Sequence, residues 1–512
     1  MTDPLGTARN PREVELKFHL PSGSRAILES HPALAAATLD RRHLVSTYFD
    51  TPDSAVHRSG LSLRVRQDGK MRTQTVKSRS DNQGVALDRR EWEWPIGQDV
   101  PEVAWLEQTK SLAKLAFEIK DRLEPVFITT IGRTKRLVRL AEGTTVEVAF
   151  DEGDIEAGVA HEVVSELEIE LKSGRVGPQY QFAAELLSLA PLWLTSESKA
   201  ARGWHLRSGQ SEGAQLAQPP KLRRNVSAAK GFNQIVSGAL GHLTANIGPT
   251  LRGDPEGLHQ SRIAVREVRA ALKLFDRYLD ADRAKQFNAT LRTYGEILGA
   301  ARDWDVFCLE TLPAAMPDLS TERLEKLNAA AEVERQLAHE AVAVAERGRA
   351  FSELVLGLEI WLNKGAMEPS RPAADLAHQS LSTLAPALLN RAAGTVKRRG
   401  QHIGRLSETG RHGLRKSVKK LSFDVECLAR FNGAKDVKRY RGRCEALEAI
   451  LGAANDAVVT DRLAHHLVTA DPLQLSKPGH ALQHWNKKRS RKALKGLKTA
   501  MESFRDVPAL WS

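Results

Sequence analysis

The chain has 512 residues, 41% hydrophobic, 27% charged and 5% aromatic, with a formal net charge of +12. That length exceeds one compact core, and that composition belongs to a folded multidomain protein rather than a disordered or fibrous one. Three widely spaced cysteines, Cys308, Cys427 and Cys444, exclude a disulfide framework and a zinc site and are expected as reduced, buried thiols.

Residues 1–210 hold 28 Lys/Arg against 30 Asp/Glu, and the remainder hold 47 against 33. The basic C-terminal part predicts an anionic partner: nucleic acid, a membrane surface or a phosphate polymer. No run of about 18 apolar residues is present and the N-terminus lacks the layout of a secretion signal, so a cytoplasmic protein without a membrane partner is expected.

The first predicted strand is EVELKF, residues 13–18. Its period-two spacing sends Glu13, Glu15 and Lys17 to one face and Val14, Leu16 and Phe18 to the other. LSLRVRQD (61–68), RTQTVKSR (72–79), RREWEWPI (89–96), TVEVAFDEG (145–153) and VSELEIELKSG (164–174) alternate in the same way and read as antiparallel strands. Helical spacing interrupts them at SRAILESH (24–31) and GPQYQFAAELLSLAP (177–191). SEGAQLAQPP (211–220) is small, polar and proline-ended, as a linker is.

Charges recur on alternate positions of these strands: Arg64 and Arg66, Lys77, Arg89 with Glu91 and Glu93, Arg133 and Lys135, Glu147 with Asp151, then Glu166, Glu168 and Glu170. The opposite faces carry Val, Leu, Ile, Trp and Phe, which predicts a sheet curled into a barrel with a charged interior. Such an interior is costly unless its charges are paired or neutralised by a ligand. Arg and Lys grip phosphate oxygens, and carboxylates hold a hard cation such as Mg²⁺, so the residues point to a metal-dependent phosphohydrolase.

The ordered series E-x-E-x-K at Glu13, Glu15 and Lys17, LSLRVR, TVK, GRTKR, VEVAFDEG, SELEIEL and SESKAARG resembles a CYTH domain of the triphosphate tunnel metalloenzyme superfamily over residues 11–207. The resemblance implies an eight-stranded antiparallel β-barrel whose tunnel takes triphosphate substrates. It implies that Glu13, Glu15 and Lys17 are catalytic. Glu13 and Glu15 would hold Mg²⁺ or Mn²⁺ together with Asp151, Glu166 and Glu168. Lys17, Arg64, Arg66, Lys77, Arg89, Arg133, Lys135 and Lys199 match phosphate-binding positions. Glu91 matches a tunnel position of open role, and Glu93, Glu147 and Glu170 are weaker candidates that serve salt bridges or face solvent.

After the linker (208–223), residues 224–505 have helical periodicity and repeat themselves. LHQSRIAVREVRAALKLF (from 258) matches GRHGLRKSVKKLSFDVECL (from 410), and ILGAARDWDV (297–306) matches ILGAANDAVV (450–459), both at an offset of 153 residues. An all-α duplicated helical bundle is therefore expected, giving an α+β multidomain protein overall. His259, Arg262, Arg266, Arg269 and Lys273 fall on one helical stripe. His412, Arg415 and Lys419, with Lys416 beside them, reproduce its start, and the match then decays to Ser422 and Glu426. The paired H-x-x-R-x-x-x-[RK] and LGAA-[RN]-D segments resemble a CHAD domain, and the resemblance implies binding of inorganic polyphosphate along these stripes. Arg302 departs from the pattern where the second copy has Asn455.

The expected function is metal-dependent hydrolysis of inorganic triphosphate in the barrel, with polyphosphate bound by the helices. Adenylate cyclase or thiamine triphosphatase chemistry on the same barrel, or a non-catalytic polyphosphate scaffold, are the alternatives. An organic group would need aromatic contacts, and Trp92 and Trp94 are expected on the barrel exterior. Low aromatic content and no base-reading module disfavour nucleic acid, and oligomeric state is left open.

Overall fold

The structure, a computed structural model, describes residues 12–80, 84–209, 213–367, 377–431 and 433–509. The chain forms two compact units. The first takes residues up to Leu216 with Leu240–Gly257 and Glu346–Lys364, and the second takes Ala217–Ala239, Leu258–Ala345 and Gly365–Ser512.

In the first unit, eight strands close into an antiparallel barrel: β1 (Arg12–His19), β2 (Leu39–Asp50), β3 (Leu61–Asp68), β4 (Met71–Ser78), β5 (Leu87–Pro95), β6 (Glu124–Arg139), β7 (Thr145–Ala157) and β8 (Ala160–Ser173). Their order is β5-β4-β3-β2-β6-β7-β8-β1, and pairing of β5 with β1 completes the ring. Closure leaves no long edge unpaired. A two-residue strand, β9 (Trp193–Leu194), adds to the end of β1 at Phe18 and His19.

Both faces of these strands are covered, for different reasons. Outward residues of β3 to β5, including Leu63, Val65, Val76, Trp92 and Trp94, pack with Leu106, Leu112, Leu115 and Ile119 into one apolar cluster. Helices Val103–Glu107 and Ala113–Ile119 supply that cover. Trp92 and Trp94 thus face away from the barrel interior, buried beneath helices rather than in solvent. The inward face holds the charges. Helices stand where spacing predicts them, at Ser24–Glu29 and Val176–Leu189.

In the second unit, the duplicated segments are helical: most of Pro255–Leu274 and all of Ala281–Val306 for the first copy, Glu408–Leu428 and Ala434–Ala470 for the second. Asp280 caps Ala281–Val306 by accepting from the amides of Asp282 and Arg283, satisfying donors that the first helical turn leaves free. Trp304, Phe307, Leu327, Leu463, Leu467 and Leu482 form part of an apolar core between the copies. Cys308, Cys427 and Cys444 are buried free thiols. Among the described residues no helix is long and apolar enough to cross a membrane.

Candidate functional site

The barrel interior is a cavity of about 540 Å³. Glu13, Glu15 and Lys17 reach it from β1, Arg64 and Arg66 from β3, Lys77 from β4, Arg89, Glu91 and Glu93 from β5, Arg133 and Lys135 from β6, Glu147 from β7, Glu168 and Glu170 from β8. Lys199, first residue of helix Lys199–Ser208, enters from beyond the strands, its helix capped by the Ser198 hydroxyl. Asp151 and Glu166 do not line the cavity wall; both are buried behind Lys199.

Strand register sets the charge pairing. Glu13 stands opposite Arg89, Lys77 opposite Glu91, Lys17 opposite Glu168 and Arg133 opposite Asp151. Directly opposed side chains are neighbours across a ladder, so opposite charges meet without long reach. Arg89 bonds Glu13 at 2.7 Å and Glu15 at 2.6 Å, and Lys77 bonds Glu13 and Glu91, each at 2.9 Å. Deeper in, Asp151, Glu166 and Glu168 bring carboxylate oxygens within 4.8 Å of one another. Lys199 lies 2.8, 2.6 and 2.9 Å from these three carboxylates, Lys17 is 2.9 Å from Glu168, and Arg133 is 2.6 Å from Asp151 and Glu168.

These contacts decide the protonation states. Burial alone would raise the Glu13 carboxyl, but Lys77 and Arg89 outweigh it and hold Glu13 well below the usual carboxylate range. For Glu15 burial wins, aided by Glu13 and Glu168, and its carboxyl is raised despite Arg89. Burial disfavours the Lys199 ammonium, yet Asp151, Glu166 and Glu168 outweigh it and keep the charge. Arg66 differs. Its only close partner is the Ser46 hydroxyl, 3.3 Å from Nε, and no carboxylate lies in ion-pair range among the described residues. Burial, with Arg64 and Arg133 nearby, depresses its guanidinium to about 10.

The donor set of Asp151, Glu166 and Glu168 consists of hard oxygen ligands and fits Mg²⁺ or Mn²⁺ rather than a soft metal. Glu13 and Glu15 stand apart from this trio, held by Arg89. The weaker candidates have local partners: Thr75 for Glu93, Lys135 for Glu147 and Lys172 for Glu170. The sequence reading passed over Arg202, which bonds Glu166 at 2.7 Å and Glu162 at 2.7 Å and so fixes one metal-ligand candidate from outside the cavity. Its place in SESKAARG, three residues after Lys199 on the same helical face, was the available signal.

In the second unit the two basic stripes meet in part. Burial and the nearby charges of Arg415, Arg266 and Arg262 lower the Lys419 ammonium to about 8. Lys416 and His412 are exposed on the same helix, and His412 Nδ1 lies 3.0 Å from Asn455 Oδ1. Arg302, at the matching place in the first copy, turns to Glu310 at 3.0 Å instead. Asp303 anchors Arg462 at 2.7 Å and Arg262 at 3.6 Å. His259 starts the first stripe on Pro255–Leu274. Arg269 bonds Asn288, and Lys273 bonds Asp276, so the far end of that stripe is tied to its own neighbourhood.

Residues 11–204 match the CYTH domain family and residues 234–465 the CHAD domain family. An inorganic triphosphatase of Haemophilus influenzae is 34% identical over 203 residues, 39% of this chain. The chain spans 56% of the length of that relative. The crystal structure of the CHAD domain from the plant Ricinus communis superposes with a TM-score of 0.52 at 24% identity, covering 58% of this chain and 99% of that one. A Hippeastrum protein described as having a dominant triphosphatase activity aligns at 21% identity and a TM-score of 0.31, covering 38% of this chain and 96% of its own.

Proposed function

We propose that the barrel of this chain, which belongs to the CYTH domain family through residues 11–204 and to the CHAD domain family through residues 234–465, hydrolyses inorganic triphosphate. The observations that carry the reading are a cavity-lining cation, Arg66, with no carboxylate in ion-pair range among the described residues, and a buried oxygen-ligand trio. In mechanism Arg64, Arg66, Lys77 and Arg89 bind and spread the charge of the phosphate chain, and Lys135, also on the cavity wall, adds to it. The three carboxylates of the trio are paired with Lys17, Arg133 and Lys199, and Glu166 also with Arg202. A polyanion gives those cations a second partner and frees the carboxylates for a divalent ion. Mg²⁺ or Mn²⁺ held by Asp151, Glu166 and Glu168 would supply charge neutralisation and an acidified water. Glu13 and Glu15, oriented by Arg89, would keep the neighbouring tunnel wall polar, and Glu15, whose carboxyl burial raises, would be the proton acceptor of the pair.

Phosphate release by the full chain from tripolyphosphate, ATP and long-chain polyphosphate tests this. Tripolyphosphate is expected to exceed ATP in kcat/KM by about 10-fold or more, since the tunnel offers charge along its whole length. ATP turned over as fast would sink the inorganic reading.

The helical unit, in this reading, binds polyphosphate through Arg262, Arg266, Arg415 and Lys419, with His259, His412 and Lys416 at the margins and Arg269 and Lys273 extending the track. Lys419 gives it a pH signature. Its ammonium, lowered to about 8, is charged at pH 7 and neutral at pH 9, so affinity for long-chain polyphosphate should drop about 3- to 10-fold across that interval. In Lys419→Ala the drop should flatten. Calorimetric titration at both pH values checks it, and a wild type indifferent to pH would contradict it.

A further inference from the structure

The tunnel is lined by residues that lie beyond the barrel in sequence: Gly213, Gln215, Ala245, Pro249 and Arg252. All belong to the first compact unit. Their place follows from the strand register. β9 pairs with His19 at the end of β1, and the chain then crosses that end of the barrel through Thr195–Ser198 to deliver Lys199. The crossing segment is fixed from outside the barrel: the Ser196 hydroxyl donates to the Thr244 carbonyl at 2.7 Å, and Arg252 Nη1 donates to the Glu197 carboxylate at 2.5 Å. Gly248 lies so close that a Cβ added there would sit 2.4 Å from the Glu197 carboxyl carbon. Gln215 is latched by Asn246, whose side chain accepts from its amide and donates to its carbonyl.

Arg252 is left half-used. Its Nη1 is bonded to Glu197, while its Nε is buried without a hydrogen-bond partner among the described residues. A buried donor without an acceptor is unfavourable, and such groups in native folds answer to a ligand or to water. This guanidinium borders a cavity whose chemistry is phosphate binding, at the end where the barrel strands run out.

We propose that Arg252 binds the terminal phosphate of a linear chain lying in the tunnel and thereby sets the register of that chain, favouring three phosphates over four. The inference rests on the tripolyphosphate reading above. A terminal phosphate carries three non-bridging oxygens and up to two negative charges, an internal one two such oxygens and a single charge, so a bidentate Arg contact is stronger to the chain end. Without Arg252 a longer chain slides past the end, and three- and four-phosphate chains become equivalent.

The test is calorimetric binding and steady-state hydrolysis of tripolyphosphate and tetrapolyphosphate by the full chain, for wild type, Arg252→Ala, Arg252→Lys and Glu197→Gln. In Arg252→Ala, KM for tripolyphosphate is expected to rise about 10-fold with kcat changed far less, and the preference for three phosphates over four to disappear. Arg252→Lys should restore affinity in part, and Glu197→Gln should keep the length preference. If Arg252→Ala and Glu197→Gln instead lower kcat alike and leave the length ratio as in wild type, Arg252 only clamps the segment that carries Lys199, and the inference fails while the tunnel reading stands. A wild type that binds neither chain overturns the tunnel reading itself and this inference with it.

Discussion

Arg66→Ala should lower kcat/KM for tripolyphosphate by about 10²- to 10³-fold and, at the same time, raise the melting temperature. The two effects have one cause. Arg66 has no carboxylate in ion-pair range among the described residues, and burial beside Arg64 and Arg133 depresses its guanidinium. In the free protein that charge is repelled by its neighbours and poorly solvated, so removing it relieves strain. With a polyphosphate in the tunnel the same charge is compensated, and losing it removes a preorganised contact worth about 3–4 kcal/mol. Lys77, Arg89, Arg133 and Lys199 behave in the opposite way for stability, because each is bonded to buried carboxylates that would be left unpaired. Thermal melting and initial rates on the same preparations check it. A variant that loses activity and stability together would make Arg66 part of the barrel's scaffold rather than its phosphate site.

The legible part of the site was the part written in a period of two. Glu13, Glu15, Lys17, Arg64, Arg66, Lys77, Arg89 and Arg133 alternate along strands, and an alternating face of a closed barrel must be its lining. Register was not legible, and register makes Glu13 the partner of Arg89 rather than a member of the trio with Asp151. Asp151 and Glu166 obey the same alternation yet sit behind Lys199, a depth that depends on where the helix at Lys199 enters. Arg252 and Gln215 carry no periodic signal at all, since their position comes from a segment latched over the barrel end by Ser196, Glu197 and Asn246. The helical half shows the same limit. Its duplication was visible in the offset of two motifs, but nothing in that offset says that Lys273 would bond Asp276 or that Arg302 would turn to Glu310. The extent of the first compact unit, which takes in Leu240–Gly257 and Glu346–Lys364, likewise has no marker in composition.

In the proposed mechanism buried carboxylates of the barrel hold a metal while its cations hold a phosphate chain. Asp151 is the sharpest probe, because it is fully buried, bonded by both Arg133 and Lys199, and belongs to the oxygen-ligand trio. Asp151→Asn keeps its shape and removes one of the three negative charges, which should weaken a hard divalent cation by more than 10-fold and the reaction by about 10³-fold. The measurement is phosphate release from tripolyphosphate by the full chain after chelation and on adding back Mg²⁺ or Mn²⁺, with wild type and Asp151→Asn side by side. The wild type is expected to fall to background on chelation and recover fully with added metal, and the variant to recover little at any metal concentration. Hydrolysis that survives chelation in the wild type, or a variant restored to the wild-type rate, would contradict it.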